Sequence, residues 1–354
     1  MRPLMRSAIG FGLASILWLS ASSSAAAARG AVVQHATGQS ADAVREYWTA
    51  ARMRRAEPVD PPPGPDSGAV GATAPTFYAQ PPDQEIDPAL DTVFPHRIHG
   101  SFFFTSGGKD ASCSATVVTA RSRDLIMTAG HCVALPAEVT GIGTVWASNV
   151  LFVPGYRKGA APFGRFPATR LGATRGWLRS ADIAFDLGTA NLAPGAGGRI
   201  QDQLGARGVA FNRPPKSYRN DLFEIYGYPS QPREFYDGER PILCFSSFQD
   251  FERFSGSPVA GPCHQQQGSS GGGLVRKGQV QSVVSHGACD IPSTACEFTA
   301  GTYFGEVAFQ LYRRSSGGIA KGKRKRLKRC KRFDKPGRRA RCRGRVQRFK
   351  PDPR

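Results

Sequence analysis

The sequence holds a single long apolar run, Ala8 to Leu19, and at 12 residues it is too short to span a bilayer. With no second such run, a helical membrane bundle is excluded. No C-x-x-C pair occurs among the eight cysteines, which leaves a zinc ribbon or a thioredoxin-like redox site without support. No repeat of solenoid length recurs, and no cluster of residues with metal-ligand spacing stands out, so neither metal nor cofactor is expected. Acidic residues are scarce, 27 against 47 Lys and Arg for a formal charge of +20, but the shortage is local. Residues 321–354 carry 18 basic and 2 acidic residues, a net of +16, leaving 29 basic and 25 acidic, or +4, for residues 1–320. The extreme charge belongs to a tail, and a specific nucleic-acid-binding role for the whole protein is not expected. The 354 residues allow one large domain or two ordinary ones.

What is present begins with an export pattern. Arg2 and Arg6 precede the apolar run, and small residues with Ala-x-Ala cleavage options follow through Ala28. Residues 1–28 therefore read as a signal peptide that sends the chain to an oxidising, extracellular or cell-envelope space, where cysteines pair. Cys113, Cys132, Cys244, Cys263, Cys289, Cys296, Cys330 and Cys342, paired in order, close loops of modest size. Residues 29–92 read as a prosegment and Pro-rich linker. Within it Ser40 to Ala56 has helical character, with Val44, Tyr47, Trp48 and Ala51 at helical spacing, before PVDPPPGP favours extended backbone.

From Val93 the texture changes. Short runs rich in Val, Ile, Phe and Thr (SFFFTS, CSATVVTA, DLIMTAG, NVLFVPGY, DLFEIYGYP, GQVQSVVSHG) alternate with Gly, Pro and Asn turns. That spacing predicts an all-β sandwich or barrel rather than βαβ units. Phe304 to Tyr312 has the periodicity of a closing helix.

Three positions in this region suggest nucleophilic chemistry. His131 lies in LIMTAGHCV and directly precedes Cys132; a Cys113–Cys132 bridge would anchor its loop, as a catalytic base requires. Ser270 lies in GSSGGGL, where glycines permit a tight turn that exposes a hydroxyl and lets backbone N–H groups converge on a developing oxyanion. Ser270 is the expected nucleophile, with the N–H groups of Gly268 and Ser270 as the oxyanion hole. A carboxylate must hold the imidazole tautomer, and SADIAFDLGTANL offers Asp186 and Asp182. Asp186 is favoured, because choosing Asp182 would place a second carboxylate inside the following strand.

The order His, Asp, Ser, with TAGHC, a D-x-G or D-x-A strand and GSSGG, resembles the chymotrypsin-like (trypsin-like) serine proteases. The stretches FFFTSGGKDASCSATVV and FVPGYRKGAAPFGRF, with Trp177 ahead of FDLG, resemble a secreted bacterial branch that includes the glutamyl endopeptidases. The resemblance covers residues 95–312. It implies two packed six-stranded antiparallel β-barrels with the triad His131, Asp186, Ser270 at their junction, and peptide-bond hydrolysis through an acyl-enzyme. It frames residues 93–316 as the protease domain of a monomer acting on protein or peptide substrates. The segment YWTAARMRRAEP is similar to one found ahead of the domain in secreted bacterial relatives. In the same framework Cys244–Cys263 braces the strand leading to Ser270, and Cys289–Cys296 closes an insert beside the substrate pocket.

The chain also departs from the family. Ser269 stands where animal digestive members have the aspartate that pairs with a new N-terminus, so activity is not expected to depend on that ion pair. His264 falls at the position of the S1 pocket base and His286 in the strand that lines it, and both are candidates for binding an acidic P1 side chain. In the tail, residues 317–354, Cys330 and Cys342 enclose eleven residues and suggest a disulfide-closed hairpin. Its charge suits retention on an anionic cell-surface polymer. The alternative function is a catalytically inactive trypsin-like homologue that binds cell surfaces or polyanions through this tail.

Overall fold

The computed structural model describes residues 31–61 and 83–317, apart from 215–216, 219–220, 232, 234, 252–255, 262, 264–266 and 289–297, together with residue 342. The expected signal peptide, most of the Pro-rich linker, His264, Cys289, Cys296, Cys330 and nearly all of the tail lie outside the described residues.

A first sheet contains β1 (Val32–Ala36), β2 (Glu57–Pro58), β4 (His99–Ser106), β5 (Lys109–Val117), β6 (Leu125–Thr128), β9 (Ser148–Pro154), β10 (Phe166–Thr174) and β11 (Gly188–Leu192). Six of these run β10–β11–β6–β5–β4–β9, and β9 pairs back with β10 to close a barrel. β1 adds antiparallel to β10 outside the ring, and β2 adds parallel to β5. A second sheet contains β3 (Gln84–Glu85), β12 (Gly208–Val209), β13 (Leu222–Gly227), β14 (Ile242–Phe251), β15 (Pro258–Gly261), β16 (Gly273–Arg276), β17 (Gln279–Ala288) and β18 (Phe298–Gly301). Here β17–β16–β13–β14–β15–β18 is closed by β17 with β18, while β3 and β12 are attached outside. A short ribbon, β7 (Ala134–Leu135) with β8 (Val145–Trp146), stands apart. The architecture is all-β, two closed six-stranded antiparallel barrels and a C-terminal helix over Glu306–Ser315.

Local sequence accounts for these elements. In β4 alternate side chains take opposite faces. Phe102 and Phe104 enter the first barrel with Phe152, Phe166 and Leu171, whereas Phe103 points outward. Gly107 and Gly108, both at positive φ, make the two-residue turn that joins Ser106 to Lys109. The second barrel packs Phe223, Leu274 and Val284 around the Cys244–Cys263 disulfide. Leu125, Met127 and Leu187 of the first barrel meet Val275, Val280 and Val283 of the second in one buried cluster, which also receives Phe309 and Leu311 of the closing helix. That helix starts two residues later than its periodicity suggests, because Gly305 forms its N-terminal boundary.

The segment ahead of the barrels is docked rather than exposed. The single helix expected over residues 40–56 is two helices, Ala41–Tyr47 and Ala50–Arg55, because Trp48 leaves helical geometry and Thr49 caps the second through its side chain. Val44, Trp48 and Met53 bury against Phe103, Leu151, Val153, Tyr156 and Tyr228. Trp48 is fully buried, and its indole N–H donates to the Asn149 carbonyl. Burying a side chain of this size is worth roughly 4–6 kcal/mol by area, an upper bound. Residues 31–59 thus complete the outer surface of the first barrel.

Candidate active site

β6 leads out of the interbarrel core into Ala129, Gly130 and His131. A Cβ on Gly130 would lie 2.9 Å from both Asp186 Oδ1 and the Trp177 ring, so only glycine lets the histidine approach its partner. His131 Nδ1 is 2.8 Å from Asp186 Oδ2, and the His131 backbone N–H donates to Oδ1 at 2.8 Å. Ser285 Oγ donates to Oδ2 at 2.6 Å, and Thr302 Oγ1 donates to the Asp186 carbonyl at 2.6 Å. Asp186 is fully buried. Burial pushes its pKa up, but the His131 charge and the hydrogen bonds from His131 and Ser285 outweigh this and hold it below the usual carboxylate value. An anionic Asp186 accepts from Nδ1 and so turns Nε2 to the opposite side of the ring. The Trp177 ring meets the imidazole edge-on, its own N–H fixed on the Ala134 carbonyl at 2.9 Å. Asp182 lies elsewhere and caps the short helix after it, accepting from the Ala184 N–H at 3.0 Å.

Ser270 lies on the loop between β15 and β16. Gly268 there has φ +96°, and a Cβ would collide with the Tyr228 carbonyl. The loop is fastened from the first barrel by Ser114. Its N–H donates to the Ser270 carbonyl at 2.7 Å, and its hydroxyl donates to the Gly268 carbonyl at 2.7 Å while accepting the Tyr228 N–H at 3.0 Å. The neighbouring Cys113 forms a disulfide with Cys132, next to His131. Ser269 Oγ is buried without a hydrogen-bond partner among the described residues.

Ser270 Oγ does not donate to His131. It donates to the Val59 carbonyl at 3.4 Å, and His131 Nε2 is buried with no hydrogen-bond partner among the described residues. His286 is half-buried on β17, paired with Ala300 of β18. His264 lies outside the described residues, as do Cys289, Cys296 and Cys330; Cys342 is disulfide-bonded. Sequence reasoning missed Ser114, Ser285, Thr302 and Val59. Ser285 had a faint signal, a small polar residue inside the apolar run QSVVSHG, whereas Ser114 and Val59 act through contacts too distant in sequence to leave one.

The depressed pKa of Asp186 carries a pH consequence. Its stabilising effect is complete above the ordinary value of 3.8 and is lost as pH falls through the lower folded-state value. Denaturant midpoints followed from neutral to acid pH should therefore drop less steeply in Asp186→Asn than in the parent; parallel curves would contradict the assignment.

No protein-family model and no curated protein matches the chain. Solved structures do. The protease Anisep from Arthrobacter nicotinovorans aligns at 28% identity and a TM-score of 0.54, covering 63% of this chain and 96% of its own. The thermostable serine protease AL20 from an extremophilic microorganism aligns at 28% identity and 0.56, covering 63% and 98%. A Glu endopeptidase is similar in fold, at 17% identity and 0.53, covering 68% and 98%. Two closed barrels, with a buried His–Asp pair and Ser270 on a glycine-rich loop, make the chain similar in structure to the chymotrypsin-like serine proteases.

Proposed function

We propose that this chain is a secreted serine endopeptidase working through an acyl-enzyme intermediate. The observation that carries the reading is the buried Ser285–Asp186–His131 hydrogen-bonded chain beside Ser270. Ser270 Oγ attacks the substrate carbonyl carbon as its proton passes to His131 Nε2, and Asp186 stabilises the imidazolium. The N–H groups of Gly268 and Ser270 receive the oxyanion. The C–N bond breaks as Nε2 returns the proton to the leaving amine, which leaves an ester on Ser270. Water then attacks that ester and gives a proton to Nε2; Ser270 Oγ leaves and takes the proton back.

Secretion is supported by the leader pattern and by the disulfides Cys113–Cys132 and Cys244–Cys263. The position of His286, one residue beyond Ser285 on β17, supports a preference for Glu or Asp at P1. The tail serves as a cationic tether.

An organophosphorus serine probe should label the chain on long incubation, and Ser270→Ala should abolish labelling and, in the activated enzyme, lower peptide turnover about 10⁶-fold. Labelling that persisted in the variant would remove Ser270 as nucleophile. A peptide library randomised at P1 should be cut after acidic residues; equal cleavage after other residues would end that part of the reading. Removal of residues 318–354 should leave turnover of a small peptide unchanged and abolish retention on heparin that weakens with salt, a loss that equal retention would disprove.

A further inference from the structure

The reaction just described leaves one contact unused, that of the Val59 carbonyl with the Ser270 hydroxyl. Glu57 and Pro58 run parallel to β5, opposite Ala111 and Ser112. The Val59 N–H donates to the Ser112 carbonyl at 3.4 Å, and its carbonyl accepts the Ser270 proton at 3.4 Å. Ser270 and His131 are each only 3% exposed. A working nucleophile must hand its proton to Nε2 and reach a substrate carbonyl carbon. Here the hydroxyl is directed at a backbone oxygen of the chain itself, and the strap lies against Ser270. With the proton directed away from Nε2, the strap is not activated for its own cleavage.

The strap is anchored upstream. Tyr47 Oη donates to Asp110 Oδ1 at 2.6 Å, and Arg52 forms an ion pair with Asp110 Oδ2; Asp110 directly precedes the Ala111 and Ser112 against which the strap lies. Trp48 is buried between these two side chains in sequence. Further upstream β1 pairs with β10 over five positions. All of these holds lie on the N-terminal side of Val59. A cut in the 62–82 linker would leave every one of them in place.

We propose that Glu57–Val59 is a built-in plug which keeps the enzyme latent, and that activation requires the Tyr47–Trp48–Arg52 anchor to let go rather than a cut in the linker alone. This rests on the serine protease reading. The test measures the rate at which an organophosphorus probe labels Ser270 in four full-length forms. These are the parent chain, a chain with a site-specific protease sequence inserted in the linker and cut there, Arg52→Glu, and Trp48→Ala, with thermal unfolding checked for each. Parent and linker-cut chains should label equally slowly. The two anchor variants should label at least about tenfold faster, as expected for a one-decade shift of the docked–undocked equilibrium. A synthetic peptide of residues 40–61 added to Arg52→Glu should slow it again. Labelling of the parent as fast as the variants would overturn the plug, and fast labelling of the linker-cut chain alone would overturn the role of the anchor. No labelling in any form would overturn the nucleophile assignment and latency with it.

Discussion

Cys113 and Ser114, adjacent on β5, hold both halves of the proposed reactive centre. The first is bonded to the residue after His131, and the second hydrogen-bonds the carbonyls of Gly268 and Ser270 on a loop of the other barrel. His131 and Ser270 are therefore referenced to one short piece of rigid strand, not to two loops that move independently. Acyl transfer tolerates little positional error, since misplacement of about 1 Å costs on the order of 10²-fold in rate. Hydrophobic contact between barrels is non-directional and cannot set such a distance. Directed hydrogen bonds and a covalent link can.

The carboxylate poses a separate electrostatic problem. A buried, uncompensated charge is strongly destabilising, and Asp186 is completely removed from water. Its oxygens accept from the His131 backbone and ring and from Ser285, and its carbonyl accepts from Thr302. His131 belongs to the first barrel, Ser285 and Thr302 to the second. The charge is fully solvated by protein only when the two barrels are together, so the same bonds that orient the imidazole reward correct assembly.

Much of this was legible in the sequence. Alternation in SFFFTS, the Gly–Gly turn and the closing apolar periodicity give strands, hairpin and helix directly, because they depend on neighbours in sequence. His131, Asp186 and Ser270 stood out as candidates because the proposed chemistry demands particular residue types in particular company, and the contact of the first two is observed. The two halves of the N-terminal helix were not, since Trp48 leaves helical geometry to reach a pocket built from Phe103, Leu151 and Tyr228, residues far along the chain. Val59 was invisible for a stricter reason. Its contribution is a backbone carbonyl, which every residue possesses, so its identity says nothing about its role.

The arrangement of the chain ends gives the two barrels a common fate. Gln84–Glu85, which precede the first closed barrel in sequence, pair with β14 of the second barrel. The closing helix, which follows the second barrel, lies against the first, with Ser315 hydrogen-bonded to Thr189 and Asn191. Each barrel lends an arm to the other. Unravelling one strips cover from its neighbour, so the two hydrophobic cores are coupled although each is closed in its own hydrogen-bonded ring.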